Sequence, residues 1–287
     1  MQIKIKSMTL LDLIINIFYR VRFWFYRNFY KKKLKNSSST EKDGWNITFK
    51  DDFDKETWST SGENTKWVIG EGWGLFHPNK LNTYYGAPEI ISNTSTAKFT
   101  VKHNPRTFNW EGKDLSIPFE TSLLSTQLSF KQRYGRWECR CTIPFEPTVW
   151  PAFWMWGSTW PPEIDVFEFM NGSEGKKAGI QAINLHFGTD VDGNRSNMGG
   201  WEICIQKKPE VKFHEFVCVW SPDKIEFITD GIKVMRFTLK ETLEWFNKNT
   251  AEMWVIISHS IQSDIIPNQD FTSEFLVDYI RVYKNIK

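Results

Sequence analysis

From Asp43 onward the chain is a succession of short strand-like runs separated by turn residues, and this limits the fold more than any other feature. Residues 122–130, 135–143, 163–170, 179–187, 215–220, 224–229, 254–257 and 275–283 all have strand character. Only 239–249 has helical spacing, and no internal repeat is visible. Many short strands with few helices predict an all-β fold, one antiparallel β-sandwich over residues 43–287.

The first 36 residues differ in kind. They hold nine Lys/Arg against the single acid Asp12, a charge of +8, so the rest of the chain carries −6 beneath an overall +2. A nucleic-acid binder shows the opposite balance in its folded part, so nucleic acid is not the expected partner. The segment from Met8 to Arg27 is apolar but broken by Asp12, Asn16, Arg20 and Arg22, too short and too charged to span a bilayer. It also lacks the small-residue cleavage site of a signal peptide. As a short helix it would gather Leu10, Leu13, Ile14, Ile17, Val21 and Trp24 on one stripe. Asp12, Asn16, Arg20, Arg27 and Lys31 would line another. An apolar face with a basic rim suits residues 8–31 to an anionic membrane surface, and equally to packing on a partner or on the domain itself. Residues 31–40, Lys-rich and then Ser-rich, read as a linker. The expected location is extracellular or at a membrane surface.

Within the sandwich the most informative stretch runs from Trp150 to Gly172 and contains Glu163-Ile-Asp-Val-Phe-Glu168. In a strand Glu163 and Asp165 share a face, while Glu168 points the other way. One extra residue, a bulge at Val166-Phe167, would return all three carboxylates to one side. Acids so crowded raise one another's proton affinity. Glycoside hydrolysis needs such a pair, one carboxylate to attack and one protonated acid for the leaving oxygen. On that reading Glu168, flanked by Phe167 and Phe169, is the acid with raised pKa, and Glu163 stays ionised. A solvated acidic face or a calcium site is the plainer alternative.

Aromatic content bears on that choice. The chain has 15 Trp and 23 Phe beside only 8 Tyr. Trp150, Ala152 and Trp154 share strand parity just before the acids, and Trp160 follows in the turn. A flat indole matches the apolar C–H face of a sugar ring, although any single Trp is explained as well by core packing. Of the four cysteines, Cys139 and Cys141 fall on one strand face and make a poor zinc site. Cys204 and Cys218 could bridge in an oxidising compartment, or all four could be buried free thiols.

At these residues the sequence resembles glycoside hydrolase family 16, in the branch of laminarinases, agarases and κ-carrageenases. The matching segments are Tyr134-Gly-Arg-Trp-Glu-Cys-Arg140, Trp150-Pro-Ala-Phe-Trp154, Glu163-Ile-Asp-Val-Phe-Glu168, Leu185-His-Phe-Gly188, Phe213 to Asp223 with Asp230-Gly231, and Val277-Asp-Tyr-Ile-Arg-Val-Tyr283. They occur in family order across the whole domain. The resemblance implies a jelly roll of two curved antiparallel sheets with a substrate cleft on the concave face. It implies Glu163 as nucleophile, Glu168 as general acid/base and Asp165 as support for the nucleophile. Trp150, Trp154, Trp160 and His186 match positions that line sugar subsites. Asp278 corresponds to a residue that helps hold a structural calcium, whose N-terminal partner would lie in Phe49-Lys-Asp-Asp-Phe53. No other cofactor is implied.

Two departures touch the cleft edge. The family's Asn and Gly pair reads Ile257-Ser-His-Ser-Ile261, and only two prolines separate Trp160 from Glu163. The expected function is a retaining endo-glycosidase on a β-linked polysaccharide, β-1,3-glucan first. An algal galactan hydrolase, a transglycosylase and a non-catalytic glycan-binding protein are the alternatives.

Overall fold

The computed structural model describes residues 10–29, 44–72, 74–77, 81–188, 195–197, 201–262 and 265–286. The linker expected over 31–40, with Lys31, lies outside the described residues, as do the side chains of Asp12 and Arg27. The chain opens with helix α1 (Leu10–Phe29) and strands β1 (Trp45–Asp51), β2 (Trp58–Ser59), β3 (Trp67–Ile69), β4 (Thr83–Gly86) and β5 (Glu89–Ile91). Next come β6 (Thr96–Trp110), β7 (Lys113–Ser125), β8 (Gly135–Cys141), β9 (Val149–Trp156), β10 (Glu163–Glu168) and β11 (Ile180–Gly188). Then follow β12 (Arg195–Asn197), β13 (Trp201–Cys204), β14 (His214–Ser221), β15 (Lys224–Thr229) and β16 (Ile232–Phe237). Helix α2 (Lys240–Asn249), β17 (Trp254–Ile261) and β18 (Thr272–Asn285) complete the chain.

The strands form two layers. The outer one runs β16–β15–β14–β8–β18, with β1 and β6 along the far side of β18. The inner one runs β13–β11–β10–β9–β17–β7. The β6–β7 hairpin joins them into one continuous ladder, and among the described residues only the short β2–β3 and β4–β7 pairings are parallel. Between the layers lies an aromatic core containing Trp137, Phe153, Phe167, Phe169, Phe216, Phe227 and Phe275. This is the all-β antiparallel sandwich expected from the punctuated strands, in the jelly-roll form that the resemblance implies.

One local reading shifts. The run expected as one strand over 122–130 stops at Ser125. Thr126 turns the chain there: its hydroxyl donates to the Phe130 carbonyl at 2.9 Å, and its own carbonyl accepts from the Phe130 amide. All four cysteines are free, with Cys139, Cys141 and Cys218 buried and Cys204 partly exposed.

Helix α1 docks on the domain through a mixed polar and apolar stripe and leaves most of its apolar face outward. The fully buried Asn16 lies against β16, donating to the Arg236 carbonyl at 3.0 Å and accepting from the Arg236 amide at 2.9 Å. Arg20 donates to the Glu202 carbonyl at 2.6 Å, and its guanidinium sits 4.9 Å from the centre of the Trp201 ring. Phe23 is buried, and Leu13 packs against the core. The inward stripe is therefore Leu13, Asn16, Arg20 and Phe23. Most of the apolar stripe faces outward.

Candidate active site

The catalytic geometry begins with a count of residues along β10. On the β9 side Asp165 pairs with Trp154, and the next pair is Phe167 with Phe153, so Val166 is an extra residue. The β11 side shows the same shift between Asp165 and Glu168. Both Val166 and Phe167 drop into the core, where the Phe167 ring lies 4.6 Å from Phe216 and 6.1 Å from Phe153. Burial of the bulge is what returns Glu168 to the face of Glu163 and Asp165.

The three acids line a cleft of about 860 Å³ whose other walls include Trp150, Trp154, Trp156, Trp160, Tyr85, His77, Ser258 and Ser260. Strand parity supplies much of this lining: Trp150, Ala152, Trp154 and Trp156 alternate with buried Phe153 and Met155 along β9. On β17, Ser258 and Ser260 face the cleft, while His259 between them turns inward to the Ser273 hydroxyl at 2.9 Å.

Each acid has its own partners. Trp160 donates its indole N–H to Glu163, and Trp150 donates to Glu168 Oε1 at 3.0 Å. Asn184 donates to the other oxygen of Glu168, and His186 Nε2 lies 3.1 Å from Asp165 Oδ2. Ligand atoms of Glu163, Asp165 and His186 all fall within 4.8 Å of one another. The Trp160 and His186 rings are 5.9 Å apart. Trp150 and Trp160 thus hold the acids as well as lining the cleft.

Burial raises the proton affinity of all three carboxyls. Glu163 is pushed up to about 8 by removal from water and then by the charge of Asp165. Asp165 rises through burial and the neighbouring Glu168. Glu168 rises through burial, opposed by the Asn184 hydrogen bond. The raised proton affinity expected of Glu168 is thus shared by Glu163, where desolvation outweighs the Trp160 hydrogen bond.

Every site residue expected from the sequence on this face is brought together: Glu163, Asp165, Glu168, Trp150, Trp154 and Trp160 in the cleft wall, with His186 bonded to Asp165. Sequence reasoning missed Asn184, Trp156 and Tyr85. Asn184 shares parity with His186 and Trp156 continues the β9 series, so both carried a signal. Tyr85 comes from a distant segment and carried none.

Asp278 lies apart, on the convex side. Its carboxylate pairs with the Arg140 guanidinium, and Arg281 holds Asp52 Oδ1 through Nε at 2.9 Å and Nη2 at 2.7 Å. Asp51 accepts from the Phe53 amide at 3.1 Å, from Trp67 Nε1 at 2.8 Å and from Thr57. Calcium needs six to eight oxygen ligands, roughly, and these carboxylates already face cations and N–H donors. The residues present do not fit a calcium site.

Comparison with known proteins bears on the family and the fold. The family model described as glycosyl hydrolases family 16 matches residues 79–280. An endo-1,3-1,4-beta-glycanase of Rhizobium meliloti is 26% identical over 256 residues, covering 82% of this chain and 51% of its own length. The chain thus spans about half the length of that relative. A beta-glucanase of Rhodothermus marinus is 24% identical over 282 residues, covering 88% of this chain and 89% of its own. The laminarinase catalytic domain of Thermotoga maritima shares the fold with a TM-score of 0.64 at 19% identity, over 85% of this chain and 99% of that one. With the family model matching well over half its residues, the chain belongs to glycosyl hydrolase family 16.

Proposed function

We propose that this protein is a retaining endo-glycosidase acting on a β-linked polysaccharide, with a laminarin-like β-1,3-glucan as substrate. The observation that carries the reading is the bulged strand, which sets Glu163, Asp165 and Glu168 on one face of an indole-walled cleft. The names of the relatives, glycanase, glucanase and laminarinase, favour a glucan over a galactan.

In the first step the Glu163 carboxylate attacks the anomeric carbon, the glycosidic C–O bond breaks, and Glu168 gives its proton to the departing oxygen. In the second, Glu168 takes a proton from water, the hydroxyl joins the anomeric carbon, and the bond to Glu163 is released. Asp165 shares protons with its neighbours, and His186 holds it in place. Trp150 and Trp154 offer stacking faces to the sugar. On the convex side Arg140 and Arg281 balance the charges of Asp278 and Asp52. The location that suits a polymeric substrate is outside the cell or at a membrane surface.

The test is release of reducing ends from laminarin, mixed-linkage glucan, agarose and carrageenan, with the anomer of the first product read by NMR. Laminarin cleavage yielding the β anomer is expected. Release from agarose or carrageenan alone would replace the glucan by a galactan. Binding without release would make the cleft a glycan-holding site, and an α product would remove the retaining mechanism.

A further inference from the structure

Helix α1 presents an apolar surface that its own domain leaves uncovered. Leu10, Ile14, Ile17, Phe18 and Val21 are between 48 and 74% exposed. Among the described residues, seven of the thirteen exposed large hydrophobics belong to this one helix. The helix is held so by its polar stripe, with Asn16 bonded to Arg236 on β16 and Arg20 to Glu202 on β13. It therefore ties the outer layer to the inner layer while leaving most of its apolar side uncovered.

We propose that α1 lies in the interface of an anionic lipid bilayer, its apolar stripe among the acyl chains. Charge selects this occupant. In sequence the first 36 residues carry +8 against −6 in the remainder, a bias that favours acidic headgroups as the surface this segment meets. A second copy docking here would set one strongly basic segment against another, which opposes self-association. The helix lies on the bilayer rather than through it, since no described helix is long and apolar enough to cross. Val21, Phe23 and Trp24 also line a groove of about 330 Å³ with Arg20, Ile203 and Cys204, where the helix meets the inner layer. Because α1 is bonded to both layers, the cleft is held at a fixed attitude to the lipid. The inference deepens the proposed location, and it stands whether or not the cleft hydrolyses glucan.

The experiment is co-sedimentation of the full chain with vesicles of phosphatidylcholine alone and of phosphatidylcholine with phosphatidylserine, at low and high salt. Wild type is expected to bind the phosphatidylserine vesicles, and high salt to weaken binding about ten-fold or more. Ile14→Glu with Phe18→Glu should reduce vesicle binding by at least about ten-fold while leaving the melting temperature and any glucan hydrolysis unchanged, because both side chains face solvent. Should that variant misfold, the salt and lipid dependence of the wild type still decides. Failure to bind vesicles, binding indifferent to phosphatidylserine, or full binding by the variant would each overturn the proposal. So would a wild-type dimer in solution that the variant abolishes without any lipid binding.

Discussion

The concave and convex faces of this sandwich both bury acids, and they treat them in opposite ways. On the convex face Glu226 is buried between Lys233 at 2.7 Å and Lys224 at 3.0 Å, and the half-buried Asp52 and Asp278 each face an arginine. Burial works against Glu226, but the two lysines hold its carboxyl below the ordinary value. In the cleft, Glu163, Asp165 and Glu168 receive indole, amide and imidazole partners and no described lysine or arginine, and all three carboxyls rise. A buried acid matched by a cation serves the fold. A buried acid left to share protons with other acids is poised for chemistry.

The largest effect that separates the faces is on turnover. Glu163→Ala should lower kcat on the order of 10⁴-fold while sparing polysaccharide binding, since it removes the covalent partner. Glu168→Ala should keep activity toward substrates with good leaving groups, and added azide should then yield a β-glycosyl azide. Glu226→Gln should leave kcat alone and cost about 1 kcal/mol of stability or less, read from denaturant melts. Similar kcat losses at Glu163 and Glu226 would erase the distinction.

A smaller effect concerns pH. A carboxyl raised in the folded state binds more protons folded than unfolded, so it removes stability as pH rises from the ordinary 4.5 toward about 8. Glu163→Gln should therefore melt with wild type in acid and above it at pH 8 and beyond. Glu226, lowered when folded, contributes stability that is present at neutral pH and lost as pH falls through its folded value. Calorimetry across that range reads both, and parallel curves for Glu163→Gln and wild type would refute the burial argument.

The smallest expected effect is none. If arginines neutralise Asp52 and Asp278, a chelator should leave the melting temperature where it was. A rise of more than about a degree on adding calcium would show that the convex acids bind the ion after all.

Much of the site was legible because parity is local. The acid spacing demands one extra residue, and Val166 supplies it. The alternation of β9 likewise announces which indoles face the cleft. What stayed hidden depends on neighbours distant in sequence. The proton affinity of Glu163 follows from how deeply the cleft withdraws it from water, which no spacing reports. Helix α1 shows the same limit. Its amphipathic pattern is plain, but the side that docks is chosen by what β16 and β13 offer, a peptide needing two hydrogen bonds and a Trp ring needing a cation.

The Asn16 amide meets the Arg236 peptide as another strand would, giving one donor and one acceptor to the side of β16 that faces away from β15. In doing so it ends the ladder. Without α1 that peptide would be open to the β-edge of a neighbouring molecule, the usual start of edge-to-edge polymerisation. A domain trimmed of its leader would then lose solubility before it lost chemistry, and the helix acts as a stopper on the sheet as well as a surface for something else.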